Sequence, residues 1–329
     1  MKSKIKSFAS ICLALCSLAT ATFAAPPTIV SSHDPTHLIA STGNLYWTEN
    51  VVDDIGQVYI ASVWRTGKNA KSGNERLLYR EITAAHKEFG NIVFANVGTW
   101  YGYFVANDLS GNPTTYSSSI KRIPLAGGPA ITVATLGRFV GNRSLRTDGS
   151  YLYWADENGI RRMPIAGGNV TTLATTTSAQ HVSLGSNFVY YSDGTAIRRV
   201  LKTGGVVGYL VSSPRPITAL YIYGTASGTR VLWGDAGGSV RAKTVGAAGT
   251  TIFQSALTGY RATSVGFDGT RTLWTTCRGS GGGDCSVRLQ SGNTSWISLV
   301  LNGNLGVGNL QWDTSQIFWG GVGVWKRVH

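Results

Sequence analysis

Short hydrophobic runs separated by polar turns recur along this chain. The runs Tyr151–Asp156, Ile160–Ile165 and Val170–Ala174 follow one another with glycine-containing turns between them. Runs of this length, rich in aromatic and β-branched residues and bounded by turn residues, are typical of β-strands. With the segment that ends at Asp148-Gly149, they predict a unit of four short strands.

This unit repeats. An aromatic residue in its second strand recurs at Trp47, Phe104, Trp154, Tyr191, Trp233, Trp274 and Trp319. The spacing is near the ~40–45 residues of one propeller blade. The sequence therefore predicts an all-β fold, a seven-bladed β-propeller of four-stranded blades. Six blades are the alternative, if the weak copy at Phe104 is an insertion.

The two ends of the predicted propeller complete one another. The last copy stops after its third strand, and the segment Pro27–Ser31 resembles the fourth strand Ala130–Ala134. We therefore expect the N-terminal strand to close the last blade. Closure of this kind leaves only short, protected sheet edges.

Composition agrees with a fold of many strands and tight turns. The chain has 42 glycines among 329 residues, 14% charged residues, and 10 Trp, 14 Tyr and 10 Phe. So many aromatic residues exclude a disordered chain, and the glycines lack the three-residue period of collagen. The formal net charge is +13, and it is spread along the chain rather than clustered in a nucleic-acid-binding tail.

Residues 1–24 have the features of a secretory signal peptide. Lys2, Lys4 and Lys6 precede the apolar run Phe8–Leu18, which is too short to span a bilayer, and Thr22-Phe23-Ala24 offers a cleavage site. We therefore predict an exported protein, periplasmic or secreted, in which residues 25–329 form a single propeller domain with no transmembrane segment. In that compartment Cys277 and Cys285 can form a disulfide bond. A zinc site is the rival, but it would need four ligands.

Four copies carry a recognisable motif. They read Tyr46-Trp47-Thr48-Glu49, Tyr153-Trp154-Ala155-Asp156, Tyr190-Tyr191-Ser192-Asp193 and Leu232-Trp233-Gly234-Asp235. This pattern resembles the YWTD repeat of low-density-lipoprotein-receptor-type propellers. The resemblance concerns the repeat and implies the propeller architecture, not a particular ligand. Exported propellers of the lyase and lectin kinds share that architecture and differ in function.

The repeated residues favour structural roles. The aromatic anchors lie at strand centres, so we expect them to pack between blades rather than to stack on sugars. An arginine lies eight residues after the anchor in several copies, at Arg162, Arg199 and Arg241. We expect each to pair with the acidic residue two after the anchor, since a guanidinium matches a carboxylate well.

Ligand sites on propellers form from loops at one end of the ring. The loop Asp108–Ser118 gives a polar and aromatic set, and its candidate binding residues are Tyr116, Asn107, Asn112 and Thr114. His181 is the one histidine in the middle of the repeats, but the sequence names no acid partner for it. Catalytic residues are therefore not assigned, and no metal or cofactor is predicted.

These features favour an exported, non-catalytic recognition or scaffold protein, a monomer that binds a protein or an anionic glycan of the envelope or extracellular space. Its positive charge favours encounter with anionic surfaces. Two alternatives remain: a propeller enzyme, either lyase or hydrolase, with a site at the channel mouth, and a lectin. A lectin should repeat polar loop residues from blade to blade, whereas here the repeated residues lie in strands.

Overall fold

The described part of the chain consists almost entirely of β-strands. The computed structural model describes residues 28–32, 35–52, 58–279, 283–291, 295–301, 310–313, 316–321 and 323–328. The predicted signal peptide lies outside these residues. Within them, no helix has the length and hydropathy needed to cross a bilayer.

The strands are numbered in chain order. The first fourteen are β1 Thr28–Ser31, β2 His37–Ala40, β3 Asn44–Val52, β4 Tyr59–Gly67, β5 Arg76–Thr83, β6 Lys87–Asn96, β7 Trp100–Asp108, β8 Ser117–Pro124, β9 Ile131–Leu136, β10 Arg146–Thr147, β11 Tyr151–Asp156, β12 Gly159–Pro164, β13 Thr171–Thr175 and β14 Ala179–Leu184. The others are β15 Phe188–Asp193, β16 Ala196–Leu201, β17 Gly208–Ser212, β18 Ile217–Thr225, β19 Gly228–Asp235, β20 Val240–Thr244, β21 Thr251–Gln254, β22 Tyr260–Phe267, β23 Arg271–Arg278, β24 Gly283–Ser291, β25 Ser295–Leu301, β26 Leu310–Trp312, β27 Gln316–Gly321 and β28 Gly323–Val328. One 3-10 turn, Pro113–Thr115, lies between β7 and β8.

Six blades are each made from one continuous segment of four strands. Blade 1 is β2–β5, and blades 2 to 6 follow in order up to β22–β25. A composite sheet completes the set, in the order β1-β28-β27-β26. The prediction of seven uniform blades is therefore wrong: six blades are continuous, and the remaining sheet is built from two distant segments. The copy at Phe104 is a full blade, β6–β9, and not an insertion.

The sheets form a closed ring around an axis. The first strand of each blade is its inner strand, and each inner strand contacts the next one, from β2 through β6, β10, β14, β18 and β22 to β26, which contacts β2. Side-chain hydrogen bonds support these contacts. Asn91 Nδ2 donates to the carbonyl oxygen of Leu145 at 2.8 Å, and the backbone amide of Ala40 donates to Gln311 Oε1 at 3.5 Å.

A partly buried ion pair joins the composite sheet to blade 1. Lys68 Nζ lies 2.7 Å from Asp313 Oδ2 and 5.5 Å from the centroid of the Phe318 ring. The side chain of Lys68 is only 9% exposed. Asp313 Oδ1 also accepts the backbone amide of Gln316, so one carboxylate both caps a turn and fixes the neighbouring blade.

The aromatic anchors are core residues, as the sequence predicted. All seven are at most 1% exposed: Trp47, Phe104, Trp154, Tyr191, Trp233, Trp274 and Trp319. Trp154 of blade 3 packs in one cluster with Val105 and Ile120 of blade 2. Truncating a buried tryptophan costs about 3–5 kcal/mol, so these contacts stabilise the blade boundaries and are closed to a sugar ligand.

The expected arginine pairs are wrong by one residue. Arg161 and Arg198 pair with Asp156 and Asp193, with Nε–Oδ2 distances of 3.0 and 2.7 Å. The predicted partners Arg162 and Arg199 lie over aromatic rings instead. The cause is the tight turn between the strands, which sets Arg161 opposite Trp154 and therefore on the face that carries Asp156.

The third predicted pair, Arg241 with Asp235 in blade 5, is also absent from the ion pairs of the described residues. Asp235 accepts Ser213 Oγ at 2.9 Å and the backbone amides of Gly237 and Ser239. The turn there is longer, and Arg241 lies opposite Trp233. The carboxylate thus holds its own turn.

The predicted disulfide is present. Cys277 and Cys285 face each other on β23 and β24, and their sulfurs are bonded. Both are buried. The bond therefore links two adjacent strands of blade 6 rather than two blades.

Candidate central-channel site

A cavity of about 390 Å³ lies where the inner strands meet, and we call it the channel. All six continuous blades and the composite sheet contribute residues to its wall. Its polar side chains include Asn91, Arg143, Arg146, His181, Thr218, Thr263, Ser264 and Gln311. Because each inner strand comes from a different part of the chain, only the closed ring brings these groups together.

Two guanidiniums of blade 3 dominate the cavity. Arg143 Nη1 donates to the carbonyl oxygen of Thr263 at 3.1 Å, and Arg146 Nη1 to that of Leu145 at 2.7 Å. Burial lowers the pKa of both to about 10, and the charges of Arg261 and Arg146 further lower the pKa of Arg143. Both groups therefore stay charged at neutral pH.

Two histidines on different blades have their pKa lowered by burial and by these arginines. Burial, then Arg143 and Arg146, lower the pKa of His37 in blade 1. The same causes, with Arg261, lower the pKa of His181 in blade 4 to about 3. Since both arginines act on both histidines, their charge extends across the channel. The imidazoles are neutral at pH 7.

No aspartate or glutamate is among the described residues that line this cavity. Glu88 lies on the same strand as Asn91, but it is engaged elsewhere. Its Oε1 lies 3.2 Å from His86 Nε2, and its Oε2 accepts Asn142 Nδ2 at 2.9 Å. A cationic cavity within low-dielectric walls attracts an anion more strongly than an exposed arginine does.

A wider cavity of about 680 Å³ opens next to the channel. Its wall includes Gln180, Arg215, Tyr260 and Arg261, near the beginnings of β14, β18 and β22. Thr218 lines both cavities. We call this second cavity the mouth. It lies at the end of the ring where the loops between blades meet, the end that the sequence favoured for a ligand.

The predicted site residues lie away from the channel. Asn107 is fully buried, and its Nδ2 donates to the carbonyl oxygen of Val140 at 3.2 Å. Asn112 and Thr114 are exposed, and Asn112 Oδ1 caps the 3-10 turn by accepting the backbone amide of Thr114 at 3.0 Å. Tyr116 packs near Phe139, with ring centroids 6.5 Å apart. None of the four lines the central cavity or the mouth, and their role in binding stays a prediction.

Sequence reasoning missed Arg143 and Arg146. They resemble the other scattered arginines, and neither falls at a repeated position. One signal was present: Asn91, His181 and Ser264 each precede the inner-strand residue that faces an aromatic anchor. Polar residues at that register indicate that water reaches the axis of the ring.

The geometry also bears on catalysis and metals. A general base works best when its pKa is near the working pH, and a histidine with a pKa of about 3 is a poor one. Among the described residues, no three His, Cys, Asp or Glu side chains converge as metal ligands would. The described lining of the channel thus carries positive charge and no carboxylate.

Comparisons with known proteins give the fold alone. No protein-family model matches the chain, and no curated protein matches it. One similar solved structure is a chain described as "Crystal Structure of Mitotic Checkpoint Complex", with a TM-score of 0.65 and 9% identity, covering 96% of this chain and 100% of that chain. The β-propeller fold is therefore supported, whereas the YWTD-like identity of the repeat stays a prediction.

Proposed function

We propose that this protein is an exported, non-catalytic recognition propeller that binds an anionic ligand through its central channel. One observation carries the proposal: Arg143 and Arg146 charge a cavity whose described lining has no carboxylate. Partly buried cations that face a common cavity cost free energy through desolvation and mutual repulsion. An anion bound between them would offset that cost.

Recognition is favoured over catalysis. An enzyme of the lyase or hydrolase kind needs an acid or base near its substrate, and the low pKa of His181 disfavours that role. Neutral imidazoles and amides suit a binding wall, since they offer hydrogen bonds without competing charge.

The ligand can be borne by a protein or by a glycan. The similar structure is by its title a complex, which is consistent with a scaffold that binds proteins. The channel itself favours any ligand that presents a negative group. Export belongs to the proposal on the strength of residues 1–24, and the net charge of +13 suits anionic surfaces.

The test is a binding screen of the full chain at physiological salt. Arrays of acidic and neutral glycans and a set of acidic peptides are probed with the wild type, with Arg146→Gln and with Lys71→Gln. Lys71 is exposed in the loop between β4 and β5, at the opposite end of the ring from the mouth. Its variant therefore removes one positive charge, as Arg146→Gln does, but far from the channel. We expect saturable binding to one anionic class, weakened at least tenfold by Arg146→Gln and unchanged by Lys71→Gln.

Thermal unfolding of each variant controls for loss of fold, and Arg146→Lys supplies a variant that keeps the charge. Equal weakening by Arg146→Gln and Lys71→Gln would show a diffuse surface effect and would contradict the proposal. Binding to no anionic probe would contradict it as well.

A further inference from the structure

We propose that the group which enters the channel is a single acidic sugar ring, a pyranose that carries a carboxylate. This inference rests on the proposed function and names its ligand class. It draws on the size of the cavity, the placement of its cations and the chemistry of its remaining wall.

The size of the cavity restricts what can enter. About 390 Å³ lies within the range of small-molecule sites. Inner strands enclose it on all sides, so a folded partner cannot reach Arg143 or Arg146 with its main surface. A protruding ring or the end of a chain can.

The cations suit a planar anion. A guanidinium binds a carboxylate through two parallel hydrogen bonds. Arg146 begins the inner strand β10 and Arg143 lies three positions before it, and each donates from Nη1 to a backbone carbonyl oxygen. A carboxylate is therefore most stable at the position in the cavity where both guanidinium charges act on it.

The rest of the wall contains aromatic and amide side chains, which suit a sugar ring and which a carboxylate alone does not need. Tyr221 and Trp312 line the same cavity from blade 5 and from the composite sheet, with ring centroids 5.5 Å apart. Both are only partly buried. Aromatic side chains have an apolar body, which the C–H face of a sugar can cover. The amide of Gln311 lies in the same wall and matches a sugar hydroxyl, whereas the amide of Asn91 is held by the backbone of Leu145.

The mouth provides space for the sugars that follow the ring bound in the channel. It is continuous with the channel wall at Thr218 and carries Arg215, Tyr260 and Arg261. A chain of acidic sugars that leaves the channel would meet further positive charge there. An acidic peptide would use the guanidiniums but has no ring to cover Tyr221 and Trp312, so the wall favours the sugar.

Isothermal titration of the full chain tests this inference. The probes are glucuronate and galacturonate, with glucose, galactose, acetate and triglutamate as comparisons, at physiological ionic strength. We expect one uronate to bind with one site per chain, and neutral sugars, acetate and triglutamate to bind at least tenfold more weakly. Arg146→Gln and Trp312→Leu should each weaken uronate binding at least tenfold, while Lys71→Gln leaves it unchanged.

The outcomes separate this inference from the proposed function. Triglutamate or a neutral sugar that binds as tightly as the uronates would overturn the acidic-sugar assignment. So would polyanion binding that depends on Arg146 but that no uronate displaces, although the proposed function would then stand. Absence of any anion binding that depends on Arg146 would remove both. Arg146→Lys and the unfolding temperatures of all variants show whether a loss reflects misfolding.

Discussion

At the residue scale, His181 is a side chain whose pKa is strongly shifted by its surroundings. Burial and the guanidiniums of Arg143, Arg146 and Arg261 hold its pKa at about 3, whereas an unfolded histidine titrates near 6.5. The folded protein therefore keeps this imidazole neutral in mildly acidic solution, while the unfolded chain takes up a proton.

This difference makes stability depend on pH. Because the folded pKa lies below the unfolded one, the free energy of unfolding should fall as pH decreases below about 6.5, by about 2 kcal/mol at pH 5. Urea unfolding at pH 7 and pH 5 measures it. His37 is shifted in the same direction, so His181→Gln, which cannot titrate, should lose the share of the decrease that belongs to His181 and keep the share of His37. An identical decrease in wild type and variant would assign it to other groups.

The channel residues mark the limit of sequence analysis at this scale. A repeat identifies positions that every blade uses, such as the aromatic anchors, because packing imposes the same demand on each. A site at the axis uses each blade once and differently, so Arg143 and Arg146 have no counterpart that could draw attention to them. The loop candidates Asn107 and Tyr116 were chosen for composition, and Asn107 is instead buried.

At the scale of single elements, the turn between the second and third strands sets the chemistry of a blade. In blade 3 that turn runs from Asp156 to Gly159, and its length decides which arginine shares a face with the carboxylate. Strand identity could be predicted from alternating runs and turn residues. The exact register could not, because one residue more in the turn moves every following side chain to the other face.

Gly159 is essential to this turn. Its φ is +144°, and a Cβ there would lie 1.9 Å from the carbonyl oxygen of Ala174. Gly159→Ala should therefore destabilise the protein by about 3 kcal/mol or more, since both backbone strain and a clash with β13 must be relieved. The measurement is the free energy of unfolding in urea.

Gly149→Ala is the matched control. Gly149 also has a positive φ, +90°, but its Cβ would meet nothing within 4 Å. Only the strain remains, so the cost should be about 1 kcal/mol. Equal costs at the two positions would mean that β13 moves aside freely.

At the scale of the whole molecule, closure of the ring depends on contacts between the two ends of the described chain. The pairing of β1 with β28 and the partly buried pair of Lys68 with Asp313 both join segments far apart in sequence. The N-terminal closing strand could be predicted because one copy lacked a strand and an unassigned strand remained. The ion pair could not, because Asp313 and Asp148 share a turn position but the lysines that reach them, Lys68 and Lys202, follow their own anchors at different spacings.

Asp313→Asn tests the contribution of this pair to closure. It should keep the turn bond from Gln316 but leave Lys68 buried without its anion, at a cost of about 1–3 kcal/mol. Hydrogen exchange should then accelerate at the amides of β1 and β28. Asp148→Asn is the control, because Asp148 occupies the same turn in blade 3 and pairs with Lys202 at 3.0 Å. Equal protection of β1 in both variants would contradict a special role for Asp313.

The antiparallel pairing of β1 with β28 also has a mechanical consequence. Thr28 lies opposite Lys326 and Ser31 opposite Val324, so the two ends of the described chain leave the same end of the strand pair. Tension applied between residues 28 and 328 acts along the hydrogen bonds of that pair, which run perpendicular to antiparallel strands. The bonds would carry the load one at a time and peel apart, and the ring would open at this seam while the continuous blades remain intact.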